Sequence, residues 1–396
     1  VASARYFGTP SPPELARGSR NLDDSAFRFV VQRRDKMERD LKEWTSLHSR
    51  TADLVGLEQA KRRIYGMFDE LAMRPVESLS NEHTVFTWET AKRLDNGMLF
   101  IANLDVPINV DFPPQSFRRD PEWLQGEGVG SSRGPLVTLE YSLRALRSQR
   151  RLRRLPLGVL IYADEGRHAR YSAPLIRAAA EKAKEVFVLR PGNVGDYLIS
   201  ERRGLRRFRF RVEGESVRQG HYSRKADTLR WAWAKLEEIA QLTDRSRRIS
   251  VSTVEMRTER MPMRLPHRVT AIISMTYPTT EIARELETKI KSILGRSGPR
   301  WELETVVDRP PFVKRPGTGP LVEELMEVAE KWQIPLQVES STWPSVAGLV
   351  ADDKPVLCGL APVARELRTP REAVLRISLV QRTLLLTEFL ISRASQ

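Results

Sequence analysis

The chain has 396 residues and a formal net charge of +14, from 65 Lys and Arg against 51 Asp and Glu. With 40% hydrophobic and 29% charged residues it has the composition of a soluble protein with a sizeable core, and its length exceeds one ordinary domain. No run approaches the roughly 18–20 apolar residues that cross a bilayer, and the single cysteine, Cys358, excludes an intramolecular disulfide and a cysteine zinc cluster. No signal-peptide core opens the sequence, so a cytoplasmic location is expected. Val1 in place of Met leads us to expect a piece of something longer.

Residues 1–22 are rich in Pro, Gly, Ser and Arg without periodicity and read as a tail or linker. Residues 24–48 read as helix on the partial stripe Phe27, Val30, Val31 and Met37, and Gly56–Met73 as a clearer amphipathic helix. Strands are expected at Thr84–Thr87 and Met98–Leu104. Helix Leu136–Arg147, strand Leu157–Ala163, helix Ser172–Lys184 and strand Glu185–Leu189 follow. This alternation predicts a mixed α/β sheet, with chemistry beyond the strand ends at Asn103–Asp105, Asp164–Gly166 and Arg190–Gly192. Residues 204–307 change character: a strand at Phe208–Val212, a helix at Lys225–Leu242, strands at Ile249–Met256 and Arg268–Thr276, a helix at Thr280–Leu294 and a strand at Trp301–Val307. That β-α-β-β-α-β order predicts an inserted ferredoxin-like unit. Alternation resumes with helix Leu321–Trp332, strands Leu336–Val338 and Val356–Leu360, and a final helix Glu372–Ser392. The expected division is a tail and helix over 1–40, an α/β domain over 41–203 and 308–396, and the insert over 204–307.

Two arginine clusters stand out. Arg147, Arg150, Arg151, Arg153 and Arg154 lie in a helix-to-strand connection. Arg202, Arg203, Arg206, Arg207, Arg209 and Arg211 alternate in part with Phe208, Phe210 and Val212, giving one charged and one apolar face. Either cluster is a solvated face or a polyanion site. No zinc-finger, RNA-recognition or helix-turn-helix pattern supports nucleic acid. No Gly-rich phosphate loop with Lys and no Gly-x-Ser-x-Gly elbow is present.

The motifs after the strand ends carry a resemblance. Asn103-Leu104-Asp105 closes one strand, Gly126-Glu127-Gly128-Val129-Gly130-Ser131-Ser132-Arg133-Gly134 opens a helix, and Asp164-Glu165-Gly166 closes the next strand. Arg190-Pro191 and Arg368-Thr369-Pro370-Arg371-Glu372 follow. In order and spacing, over about residues 41–396, this resembles the M20 metallopeptidase family of aminoacylases, carboxypeptidases and desuccinylases. The resemblance implies two zinc ions on five ligands, a glutamate general base, and an inserted lid domain that often mediates dimers. It places the general base at Glu165 and the residue orienting a ligand His at Asp105, both as vestiges. It places the five ligand positions at Asn103, Ser131, Gly166, Arg190 and Arg368. In the lid, family positions fall on Val217, Met263 and Thr276, and a pocket-lining stretch falls on Trp343-Pro344-Ser345.

Zinc needs imidazole, thiolate or carboxylate donors, and guanidinium has no lone pair and stays charged. At about 4 Å and an effective dielectric near 20, each like charge costs roughly 4 kcal/mol. The sequence therefore leads us to expect no metal and no cofactor. Arg190, Arg368 and Arg133 either form an anion pocket for a carboxylate or phosphate, or pair with Asp105, Asp164 and Glu165. None of His48, His83, His168, His221 and His267 falls at a ligand position. The expected function is a catalytically inactive structural or binding module with a protein partner or fused domain, and with homodimerisation through the lid. The alternatives are an active metallo-hydrolase cleaving an amide of an N-acyl amino acid or peptide, and a polyanion-binding protein.

Overall fold

The computed structural model describes residues 25–76, 84–109, 111–192, 195, 197–220, 227–259 and 261–395. The expected tail over 1–22, His83 and His221 lie outside them. The chain divides into two compact units. One takes the chain up to Ser200, Arg315–Glu339 and Val350 onward; the other takes Glu201–Lys314 and Ser340–Leu349.

The first unit begins with two helices, α1 (Ser25–Gln32) and α2 (Arg34–Thr45), separated at Arg33. Their apolar residues Ala26, Val30, Met37, Leu41 and Trp44 belong to the main core, so they are part of the unit rather than a leader to it. Helix α3 (Leu54–Glu70) is started by Asp53, whose carboxylate accepts the Gly56 N–H at 3.0 Å. The chain then runs through β1 (Arg74–Val76), β2 (Val85–Glu89) and β3 (Met98–Asn103), and through the short strands β4 (Arg118–Arg119) and β5 (Trp123–Gln125). A π-helical turn, Val129–Arg133, leads into α4 (Gly134–Ser148). After α4 come β6 (Leu157–Tyr162), α5 (Ala173–Lys182), β7 (Glu185–Val188) and β8 (Tyr197–Arg202).

The second unit follows the expected order: β9 (Gly204–Glu213), α6 (Thr228–Ala240), β10 (Ser250–Thr258), β11 (Arg268–Tyr277), α7 (Thr280–Leu294) and β12 (Arg300–Arg309). Its four strands form an antiparallel sheet in the order β10-β11-β9-β12. The period-two pattern of β9 buries Phe208, Phe210 and Val212 against Ala232, Leu236 and Ile239 of α6 and Leu286 and Ile290 of α7. Two of the four arginines of β9 find acids on neighbouring elements, and Arg207 bonds the Ser274 hydroxyl at 3.4 Å. Arg209 pairs with Glu304 at 2.9 Å, and Arg206 with Asp308 at 3.1 Å and Glu287 at 3.0 Å.

The chain closes with α8 (Thr318–Lys331), β13 (Gln337–Ser341), β14 (Val356–Cys358), β15 (Ala364–Arg365), β16 (Ala373–Leu375) and α9 (Arg376–Ser395). The large sheet has the order β1-β2-β6-β3-β7-β14-β8-β13, and a small one the order β15-β16-β5-β4. The expected final helix from Glu372 begins four residues later. Ala373–Leu375 is instead a strand, paired with Trp123–Gln125, because those residues complete a sheet whose other members are far away in sequence.

Strands β3, β6 and β7 are buried throughout and mutually parallel. This is why they read as unbroken apolar runs rather than as alternation. Asn103 lies beside Tyr162, and Ile101 beside Val188. The strands thus end at nearly one level, and the loops that follow converge at their carboxyl edge. No helix among the described residues is long and apolar enough to cross a membrane.

Candidate functional site

The loop after β3 brings Asp105 into the converging edge with no exposed surface. One carboxylate oxygen accepts the Thr51 hydroxyl at 2.6 Å and the Gly166 N–H at 3.0 Å; the other accepts the Glu165 N–H at 3.0 Å. Burial pushes the Asp105 carboxyl up to about 6, against the downward pull of the Thr51 and Gly166 hydrogen bonds. The residue ties the β3 loop to the β6 loop. Asn103, at the end of β3, donates its amide to the Asp105 carbonyl at 2.9 Å, and its buried side-chain oxygen has no hydrogen-bond partner among the described residues.

Beyond β6 the chain makes a 3-10 turn, Glu165–Arg167, closed by His168 and Ala169 in the left-handed region. Asp164, also buried, accepts the Tyr171 N–H at 2.8 Å, the Ser172 N–H at 3.2 Å and the Ser172 hydroxyl. Glu165 is the centre of the cluster. One of its oxygens accepts the Tyr162 hydroxyl at 2.8 Å. The other accepts two guanidinium groups, Arg190 at 2.6 Å and Arg368 at 2.5 Å. The side chains are 1%, 8% and 23% exposed for Glu165, Arg190 and Arg368, so all three charges work in a low-dielectric setting. Burial pulls the Arg190 proton off, but the charge of Glu165 and the nearby Tyr162 outweigh it and hold the guanidinium more firmly protonated than usual.

Arg368 sits at φ 65° in the loop between β15 and β16, and its N–H donates to Glu372 at 2.9 Å. Glu372 is 1% exposed and joins two distant loops. Its second oxygen accepts the N–H groups of Gly130 at 2.8 Å and Ser131 at 2.6 Å. The Ser131 hydroxyl bonds the first oxygen at 3.3 Å. Burial pushes its carboxyl up, against the bonds from the Ser131, Arg368 and Gly130 N–H groups. Glu372 is the residue that sequence reasoning passed over. It was legible only as a motif residue and the start of a helix, and its role depends on a partner 241 positions away.

Arg133 is not brought into this cluster. It is fully buried on the other side of the turn, donating to the Leu104 carbonyl at 2.9 Å and the Ser49 hydroxyl at 2.6 Å and lying over the Trp44 ring. Burial pulls it down to about 10, with Glu127, Asp105 and Glu372 resisting. Arg190 and Arg368, for their part, both meet Glu165. Asp105 and Asp164 are served by hydroxyl and backbone donors instead. Of the positions in the second unit, the Val217 carbonyl accepts the Leu265 N–H at 2.9 Å, Met263 is exposed, and Thr276 lies in β11 opposite Leu205.

A zinc pair does not fit these residues. Among the described residues no three His, Cys, Asp or Glu are grouped so as to hold a metal ion. At the five positions that the resemblance assigns to ligands stand an amide, a hydroxyl, a glycine and two guanidinium groups. An amide oxygen such as that of Asn103 suits a hard cation, not a zinc pair. Space is also taken: a Cβ added at Gly166 would lie 2.1 Å from the Thr51 hydroxyl oxygen, which is bonded to Asp105.

No family model matches the sequence, and no curated protein does. Solved structures do match. Human carnosine dipeptidase 1 is 15% identical with a TM-score of 0.71, the match covering 95% of this chain and 100% of that one. The di-peptidase Dug1p from Saccharomyces cerevisiae is 14% identical, with 94% and 98% covered and a TM-score of 0.68. The M20 family metallo-carboxypeptidase Sso-CP2 from Sulfolobus solfataricus is 13% identical, with 95% and 100% covered and a TM-score of 0.68. The chain therefore has the fold of the M20 metallopeptidases.

Proposed function

We propose that this chain is a non-hydrolytic protein of the M20 peptidase fold, acting as a structural or binding module within a larger assembly or a longer chain. The observation that carries the reading is the Glu165 carboxylate, at the position of the general base, with two guanidinium groups on one oxygen and a phenol on the other. A base in that state has both oxygens already engaged by hydrogen-bond donors, which leaves it poorly placed to take a proton from an attacking water. In this reading, Arg190 and Arg368 take over the electrostatic task that two dications perform in a zinc hydrolase. They neutralise the carboxylate and hold the β6, β7 and β15–β16 loops together, but they cannot polarise a carbonyl as a Lewis acid or generate a hydroxide. The hydrolytic alternative needs a donor set that these residues do not supply.

The second unit offers two sheet-edge strands, β10 and β12. A homodimer through one of them is the assembly that this proposal includes, and light scattering after size exclusion measures it. The central test is metal content. Purified protein incubated with excess zinc and then dialysed is expected to retain well under one equivalent, and to hydrolyse neither dipeptides nor N-acyl amino acids. Retention of two equivalents, with amide hydrolysis that a chelator abolishes, overturns the proposal.

A further inference from the structure

The connection between α4 and β6 carries the first arginine cluster, and the structure gives it a cavity. Arg147, Arg150 and Arg153 line a space of about 310 Å³. Its floor is apolar, formed by Leu71, Met73 and Leu152, all buried. Thr90 also lines it, but the Thr90 hydroxyl is committed to the Leu155 carbonyl and the Leu157 N–H. Among the described residues no carboxylate lines the cavity. Among the described residues, the three guanidinium groups make no ion pair and no hydrogen bond, in contrast to Arg144 one turn earlier, which pairs with Glu70 and Glu140.

Backbone geometry explains how one short segment aims three arginines at one space. Helix α4 ends at Ser148, Arg150 turns the chain at φ 59°, and the 3-10 turn Leu152–Arg154 follows. Leu152 drops into the floor while Arg150 and Arg153 remain at the rim. Three like charges line this one cavity; all three side chains are exposed, so water weakens their mutual repulsion without removing it. An anion among them relieves that repulsion and accepts forked N–H donors. The floor rewards an apolar group attached to that anion. The volume stands near the lower end of small-molecule sites, about 300–1,000 Å³, which limits the ligand to a short chain.

We propose that this cavity binds a small amphiphilic anion: a carboxylate or phosphate head held by Arg147, Arg150 and Arg153, with a short alkyl or acyl tail on Leu71, Met73 and Leu152. Neither half of the site suffices alone, since an inorganic anion leaves the floor bare and a neutral alkyl chain leaves the charges unrelieved. The site shares no residue with the Glu165 cluster, so its failure leaves the reading of that cluster untouched.

Calorimetric titration of the full chain with octanoate, octyl phosphate, acetate, inorganic phosphate and octanol tests it. Octanoate, octyl phosphate or both are expected to bind one to one, at least tenfold tighter than the other three, and which head is preferred identifies the source. The Arg147→Ala/Arg150→Ala double variant is expected to weaken that binding at least tenfold with an unchanged unfolding midpoint. Ala91→Phe, which keeps every charge and fills the space from an exposed wall position, is expected to abolish it. Equal binding of octanoate and acetate, binding that survives both variants, or no binding by any of the five overturns the proposal.

Discussion

Arg190 and Arg368 share the Glu165 carboxylate in a buried cluster, whereas Arg147, Arg150 and Arg153 stand around a cavity with an apolar floor and, among the described residues, no carboxylate on its wall. The residue type is the same and the consequence opposite. Where an acid lies within hydrogen-bond reach, the guanidinium becomes part of the fold, and the buried partners depend on each other. Where none does, the charge stays available to something outside the chain. The comparison teaches that a count of arginines says little until each one's nearest carboxylate is known.

The sharpest way to break the comparison is Glu165→Ala. It leaves two guanidinium groups in a poorly hydrated place without their shared anion, and a stability loss of about 3–5 kcal/mol is expected from urea unfolding. A loss below about 1 kcal/mol would mean that the cluster is not a structural tie.

Asp105 adds a pH dependence to the same cluster. Its folded carboxyl titrates at about 6, above the ordinary 3.8, so in the window between those values the folded state binds more protons than the unfolded chain. Stability therefore falls as pH rises through that window, by up to about 3 kcal/mol, and the loss is complete above it. Asp105→Asn cannot titrate and is expected to flatten that part of the unfolding profile. Superimposable profiles for the two proteins would remove Asp105 from the account.

Gly166→Ala sharpens the packing side. Its methyl group meets the Thr51 hydroxyl oxygen, which must give up Asp105 to make room. A loss of about 1–3 kcal/mol is expected, and a double-mutant cycle with Thr51→Gly, which removes both the hydroxyl and the Cβ that lies 2.9 Å away, should recover most of it through the coupling term. Additive losses would place the clash elsewhere.

The smallest effect belongs to the open arginines. Arg150→Ala is expected to change stability by no more than about 0.5 kcal/mol, because no partner is lost. A cost near that of Glu165→Ala would show that Arg150 is as structural as Arg190 and would erase the difference between the two regions.

Much of the fold was legible beforehand. Strands β3, β6 and β7 were visible as short apolar runs between helical stretches, and the β-α-β-β-α-β unit was visible in its period switches. The small sheet β15-β16-β5-β4 was not, since strands of two or three residues carry no pattern and gain their identity from partners that pair only after folding. Strand β8 was missed for a related reason: Ile199 pairs with Cys358, far along the chain. At the candidate site, the arginines and the carboxylates could be named from sequence. Their pairing could not, because Asp105, Asp164 and Glu165 all read as strand-end carboxylates and are told apart by which donors each loop presents.

The amino-acid sequence alone determined the element order and the position of the strand ends, because those follow from periodicity and residue chemistry along the chain. Only the tertiary structure decided that Arg190 and Arg368 converge on one oxygen of Glu165, that Glu372 clamps the turn at Gly130 and Ser131, and that Arg147, Arg150 and Arg153 line one cavity with the buried Leu71, Met73 and Leu152. Distances of a few ångströms between residues far apart in sequence set the strength of charge and hydrogen-bond interactions, and those distances exist only once the sheet and its loops are assembled.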